Sequence, residues 1–434
     1  MNSEIQKISI TPTHAKIEKK VKTLEGVVEV SFAPMQVQSK RPRLNLAIAI
    51  DASGSMNVQS GGAPAIEHAK EATLQLLERL DADDRVAIVA YATHPYVLIE
   101  SMPVSSAREI ARQALQSLHA MGSTALHAGW LTAAQQAAPH AGDYDISRVL
   151  LLSDGQATDG VRDEGQLAAE AEKLCAAGIS TSTYGLGMNF NERLMTGMAV
   201  GGVARYAETA DVLVPYFDAD FSMLAQTVAK SVHVQLNAFD QKTGEKIECM
   251  LLGGGQIEND RWRLSPGIAG AISWAAFSVV ADHGHDIRLH ATWNIVDMEG
   301  QSHALTCETT VKRGKGAVNE AAAARINEVK AAKAAADAAA AARMGDRNGV
   351  LRHLDAFRHL SGNSAYAGAV SRNLDALAAS GNLAAVAKET LYTSSTMSSR
   401  VVDVQEKHDV MTNDRFGLRK AVQGKNDDNL GVKP

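Results

Sequence analysis

The 434-residue chain has little cysteine, no excess of basic charge and no long apolar run, and each absence removes a class of protein. Its three cysteines, Cys175, Cys249 and Cys307, are odd in number and widely spaced, so they build neither a disulfide framework nor a C-x-x-C metal clamp. Reduced thiols with a structural role are expected. Lys and Arg number 43 against 49 Asp and Glu, a net charge of −6, which argues against a general nucleic-acid binder. No uninterrupted apolar stretch approaches the ~20 residues that span a bilayer, and the alternating polar start from Met1 to Lys20 has no apolar core like that of a secretory signal. No membrane span and a cytoplasmic address follow as expectations. No G-x-x-x-x-G-K-[ST] phosphate cradle occurs, so any ATPase would be a separate chain. A convincing internal repeat is also missing. What remains, 45% hydrophobic and 21% charged, is a globular balance, and the length suggests roughly two to four domains.

From Leu44 to about Pro215, short aliphatic runs alternate with longer helical patterns, the mark of a parallel sheet covered by helices on both faces. Strands are expected at Leu44–Ile50, Arg85–Tyr91, Arg148–Ser153 and Ile179–Gly185, and helices at Ala65–Leu80, Ser105–Leu118, Ala125–Ala138 and Glu164–Ala177. Segments with period-two alternation flank this block on both sides, and the simplest assembly makes them one antiparallel sandwich into which the α/β block is inserted. Beyond Gly316 the composition shifts to alanine, the strongest helix former, and predicts a long helix and then shorter ones. The resulting division is residues 1–42 and 229–315 for the sandwich, 43–228 for the α/β domain, 316–391 for a helical hairpin or bundle and 392–434 for a flexible tail.

The chemistry concentrates at the carboxyl edge of the expected sheet, where open α/β sheets bind ligands. The first strand ends in Asp51-Ala-Ser53-Gly-Ser55, which puts a carboxylate and two hydroxyls on a tight turn. Two further loops belong to that edge: Gly122-Ser-Thr124 adds a third hydroxyl, and Ser153-Asp154-Gly155 a second carboxylate. Oxygen donors of this kind suit a hard divalent cation, Mg2+ first, with Mn2+ or Ca2+ as alternatives. If Asp51 and Asp154 act partly through water, the cation keeps one exchangeable position. A carboxylate from another molecule can fill it without any bond being broken.

D-x-S-x-S after a strand, a Thr in a G-S-T loop and S-D-G after a later strand together resemble the metal ion-dependent adhesion site of von Willebrand factor type A domains, over about Arg43 to Ser231. The resemblance implies a doubly wound, mainly parallel sheet with one antiparallel edge strand, and partner binding with no catalysis. It also implies that Ser53, Ser55 and Thr124 contact the metal directly, with Asp51 and Asp154 acting through water. Insertion of such a domain between β segments is similar to a group of bacterial proteins, some of which carry helical carboxyl-terminal hooks.

Each of these loops alone reads equally well as turn and cap residues; the three in order do not. His127, one turn beyond Thr124, either faces the ligand or is an ordinary solvent-facing helix residue. His283, His285 and His290 lack a cysteine pair that would complete a zinc site, and Lys242-Thr-Gly244 reads as a β-turn. Asp51 as a phosphoryl acceptor lacks its second carboxylate, because Ser53 stands there. Trp262, Trp274 and Trp293 read as core or sheet-face residues, and the alanine helix as either a partner-binding arm or an intramolecular hairpin. The leading expectation is a Mg2+-dependent protein-interaction module, not an enzyme, that takes a partner's Asp or Glu. The alternatives are an adaptor that recruits substrates to an AAA+ ATPase machine, and a self-assembling protein whose tail acids, such as Asp403, Glu406, Asp409, Asp427 or Asp428, dock on a neighbouring copy.

Overall fold

A computed structural model describes residues 4–394 apart from 19–20, 35–40, 61, 155–156, 187–190, 208–209, 259, 283, 362–370, 373, 376–377, 380, 382, 384–385, 388–389 and 392. The expected tail and its acids, His283, and much of the expected short-helix region lie outside the described residues. Two compact units emerge: one of residues 41–225, the other formed by the segments on either side of it.

The first unit is a six-stranded sheet in the order Gly201–Ala207, Ile179–Leu186, Ile146–Ser153, Leu44–Asp51, Arg85–Tyr91 and Pro95–Pro103. Every pairing is parallel except the last. All eight residues of Leu44–Asp51 are buried, because this strand sits between two others and beneath helices on both faces. Leu44, Leu46, Ile48 and Ile50 share a core with residues of α1 (Ala65–Arg79) and α2 (Val104–Gln116). The opposite face receives α3 (Leu126–Ala137), whose Trp130 Nε1 donates to Thr181 Oγ1 at 3.1 Å. Next come α4 (Glu164–Ala176), closed by Gly178 at φ +93°, then α5 (Glu192–Met198) and α6 (Ala210–Ala225). The antiparallel edge strand begins and ends in proline, which is tolerated where no neighbour needs the N–H.

The second unit is a sandwich. Its four-stranded sheet runs Ile5–Pro12, Thr23–Phe32, Ile272–Val280 and Cys249–Gly253. Its eight-stranded partner runs Gly255–Glu258, Arg261–Leu264, Thr227–Asp240, Ile287–Asp297, Ser302–Arg313 and Lys16–Ile17, with two short strands added to Thr227–Asp240. Thr23–Phe32, before the α/β block, pairs antiparallel with Ile272–Val280, after it. Val28, Val30, Phe32 and Phe277 of one sheet meet Val232, Leu289 and Trp293 of the other in one core. At the hairpin turn after Thr227–Asp240, the Asp240 carboxylate accepts from the amides of Lys242 and Thr243 and from His285, which makes Lys242-Thr-Gly244 a turn.

Val27, Trp274 and Ala276 lie on the outer face of the four-stranded sheet, where Ala322, Ile326 and Val329 of α7 (Glu320–Arg343) cover them. Arg325 pairs with Glu29 and lies over the Trp274 ring, and Lys330 Nζ bonds Glu25 Oε2 at 2.9 Å. The second half of α7 buries its alanines against α8 (Arg347–Ser361), through Val350, Leu354 and Phe357. The alanine helix is therefore folded back on its own sandwich, and the reading as a free partner-binding arm is corrected. Alanine is short enough for both contacts to close, and burial there compensates for a weakly amphipathic sequence. None of the three cysteines is in a disulfide, and burial pushes the Cys249 thiol up to about 12. No helix among the described residues is long and apolar enough to cross a membrane.

Candidate metal centre

Asp51 closes the central strand, paired with Tyr91 on one side, while Ile50 pairs with Leu152 on the other. Past Asp51 the chain cannot stay extended: Ser53 is followed by a single 3-10 turn, Gly54–Asn57, pinned by the buried Met56. The turn brings the Ser53 and Ser55 hydroxyls to 3.0 Å from each other. It also lets the Ser53 amide donate to Asp51 Oδ1 at 2.9 Å. The other carboxylate oxygen, Oδ2, accepts from Ser153 Oγ at 2.6 Å, so the first and third loops are joined at Asp51 itself.

The second loop is stitched to the first through the backbone. Met121 donates to Ala52 O at 2.7 Å, Gly54 to Gly122 O at 3.0 Å, and Asn57 Nδ2 to Ala120 O at 2.9 Å. Such close approach needs glycine at 122, where φ is +76° and a Cβ would stand 2.6 Å from Thr93 Oγ1. Thr124 is gripped from the third loop on both sides of its peptide. Its N–H donates to Thr158 Oγ1 at 2.8 Å, and its carbonyl accepts from the amides of Thr158 and Asp159, each at 3.1 Å. Asp51, Ser53, Thr124 and Asp154 are buried, and Ser55 is exposed at the rim.

The electrostatics of this cup are one-sided. Burial first, and the nearby Asp154 charge second, push the Asp51 carboxyl up to about 7, against the pull of the Ser153 and Ser53 bonds. Both donors that bond Asp51 are neutral. Behind it lies the fully buried Tyr91 hydroxyl, which burial and the Asp51 charge drive well above its ordinary range. Two neighbouring carboxylates, both buried, with the Ser53 and Ser55 hydroxyls 3.0 Å apart beside Asp51, fit a hard divalent cation in both charge and donor type. Among the described residues no group of three His, Cys, Asp or Glu side chains is placed to hold a metal, and this set contains only two such residues.

Sequence reasoning left Ser153 and Tyr91 without a role, although Ser153 lies within the motif it singled out; no local pattern says that a hydroxyl reaches across to another strand. It also left His127 with two readings, and the structure gives this partly buried residue a partner. His127 Nε2 lies 2.6 Å from Glu170 Oε2, which ties α3 to α4. The Glu170 carboxyl is held below its ordinary range, by its Gln166 bond first and by His127 second.

Residues 45–229 match the von Willebrand factor type A domain, so the α/β unit with its three-loop edge is a domain of that class. The chain is 33% identical over 199 residues to the uncharacterized protein YfbK of Escherichia coli, covering 45% of this chain and 34% of that protein. It is 29% identical over 208 residues to the uncharacterized protein sll0103 of Synechocystis, covering 46% of each. The chain thus spans less than half the length of these two relatives. Among solved structures it is similar to the von Willebrand factor type A protein from Catenulispora acidiphila, at a TM-score of 0.66 and 17% identity over 86% of this chain and 91% of that one. The ArnB paralog VWA2 from Sulfolobus acidocaldarius aligns at a TM-score of 0.57 and 16% identity, over 89% of this chain and 97% of that one. Identities this low speak for the fold alone.

Proposed function

We propose that the chain binds a protein partner through a divalent cation, Mg2+ by preference, held at the edge of the α/β unit by Asp51, Ser53, Ser55, Thr124 and Asp154. Domains of this class generally mediate protein interactions, and the proposal gives that general role a chemistry. The observation that carries it is Asp51: a fully buried carboxylate, pushed up to about 7, bonded only by neutral donors and next to a second carboxylate. Such a group costs stability unless a cation compensates it.

When bound, the cation supplies an electrophilic centre with one exchangeable position for an oxygen ligand. The protein's part is to set that position. Ser153 and the Ser53 amide orient Asp51, the 3-10 turn aims the Ser53 and Ser55 hydroxyls, and Thr158 holds the Thr124 loop against them. A partner's Asp or Glu would supply that oxygen. The activity assigned is capture, with no bond cleaved.

The test is thermal unfolding with and without MgCl2, in wild type and in Asp51→Ala. A cation at one hundred times its dissociation constant stabilises a folded site by about 2.7 kcal/mol. The wild type should gain that stabilisation and lose it in EDTA, and Asp51→Ala should show little of it. Equal response of the two proteins to MgCl2 would refute the reading.

A further inference from the structure

Behind Asp51 stands a hydroxyl for which the fold itself has no use. Tyr91 ends the strand Arg85–Tyr91, and its Cα is the register partner of Asp51 on the neighbouring strand. Ile50 and Leu152 are partners on the other side, so Tyr91, Asp51 and Ser153 stand in a row across three parallel strands, on one face of the sheet. Ser153 reaches across that row to bond Asp51 Oδ2 at 2.6 Å. The Tyr91 ring is wholly buried and held against α3, where a Cβ at Gly129 would strike it. Its hydroxyl lies beside the Asp51 and Ser153 side chains, yet it is aligned for a hydrogen bond with neither and has no other partner.

A buried hydroxyl without a partner is uncommon in folded proteins, because it gives up its bonds to water for nothing in return. Burial first, and the Asp51 charge second, keep this phenol protonated, so toward a carboxylate it is a donor. Asp51 has room for one. A carboxylate offers about four acceptor positions, of which the Ser53 amide takes one at Oδ1 and Ser153 one at Oδ2. Resting on the reading of Asp51 as a cation ligand, we infer that Tyr91 is a positioning residue for that ligand, its hydroxyl donating to the Asp51 carboxylate when the cation is bound. Ser153 and Tyr91, from the strands on either side, then hold the carboxylate between them. Donors of this kind fix the orientation of a ligating group, and removing one typically lowers metal affinity roughly 10–100-fold. The fold gains nothing from this hydroxyl on its own. Its effect therefore belongs to binding and not to stability.

The experiment compares the full chain with its Tyr91→Phe variant, which keeps the ring packed under α3 and deletes only the donor. Urea denaturation in EDTA should find the variant at least as stable as wild type, since it removes a buried hydroxyl that bonds to nothing. Thermal shifts over a MgCl2 titration should find its Mg2+ dissociation constant raised about tenfold or more. Adding MgCl2 to the wild type should also give an ultraviolet difference spectrum in the tyrosine band that the variant lacks. An unchanged dissociation constant, or a difference spectrum that the variant retains, overturns the role of Tyr91 and leaves the metal reading standing. So does a loss of stability in EDTA, which would mean that the hydroxyl already serves the fold. If Mg2+ does not stabilise the wild type, both readings fall.

Discussion

Replacing Asp51 with Asn should make the metal-free α/β unit more stable above pH 7, by an amount that disappears toward pH 4. In the folded chain Asp51 keeps its proton up to about 7, against an ordinary value of 3.8. Between those limits the folded state binds more protons than the unfolded one, so this group's contribution is fully present below the unfolded value and is lost as pH rises through the folded one. The gap is about three pH units, and at about 1.4 kcal/mol per unit the loss is about 4 kcal/mol. Asn cannot ionise and escapes it. Its amide oxygen can still accept from the Ser53 N–H, and the Ser153 hydroxyl must turn from donor to acceptor, a cost that does not vary with pH. In EDTA, the stability of Asp51→Asn relative to wild type should therefore rise by about 4 kcal/mol from pH 4 to pH 8. For a domain of this size that is on the order of 8–16 °C in Tm. Saturating MgCl2 should erase the difference, because the cation favours the ionised carboxylate in wild type. A difference that stays flat with pH would refute the argument that burial and Asp154, with no compensating cation, govern this carboxyl.

Two further perturbations test what surrounds the site. Gly129→Ala puts a Cβ into the Tyr91 ring, which lies against the α3 backbone; overpacking should cost about 1–3 kcal/mol by urea denaturation and outweigh the roughly 1 kcal/mol that Ala gains over Gly in a helix. Arg205 Nη2 meets Asp220 Oδ1 at 2.7 Å with both side chains 4% exposed, and Tyr184 donates to the same carboxylate at 3.0 Å. Asp220→Ala should cost about 3–5 kcal/mol, since it strips a buried guanidinium of its carboxylate; a loss under 1 kcal/mol would mean that the pair is not desolvated as it stands here.

Much of the architecture was legible in the chain because its causes are local. Leu44–Ile50, Arg85–Tyr91, Arg148–Ser153 and Ile179–Gly185 announce strands buried on both faces by aliphatic content, and the structure places strands over all four. The helices between them follow from apolar spacing and caps, within a residue or two at their ends. The oxygen-bearing residues were visible for the same reason: a strand that meets glycine, serine and aspartate must turn, and the turn exposes its donors. Tertiary structure alone decided the rest. Which strand neighbours which, the Ser153 bond to Asp51, the His127 pairing with Glu170 and the seating of the alanine helix over Trp274 all join residues dozens or hundreds apart. Such contacts pay loop-closure entropy against packing gained across the whole fold, and no short window of sequence holds both sides of that balance.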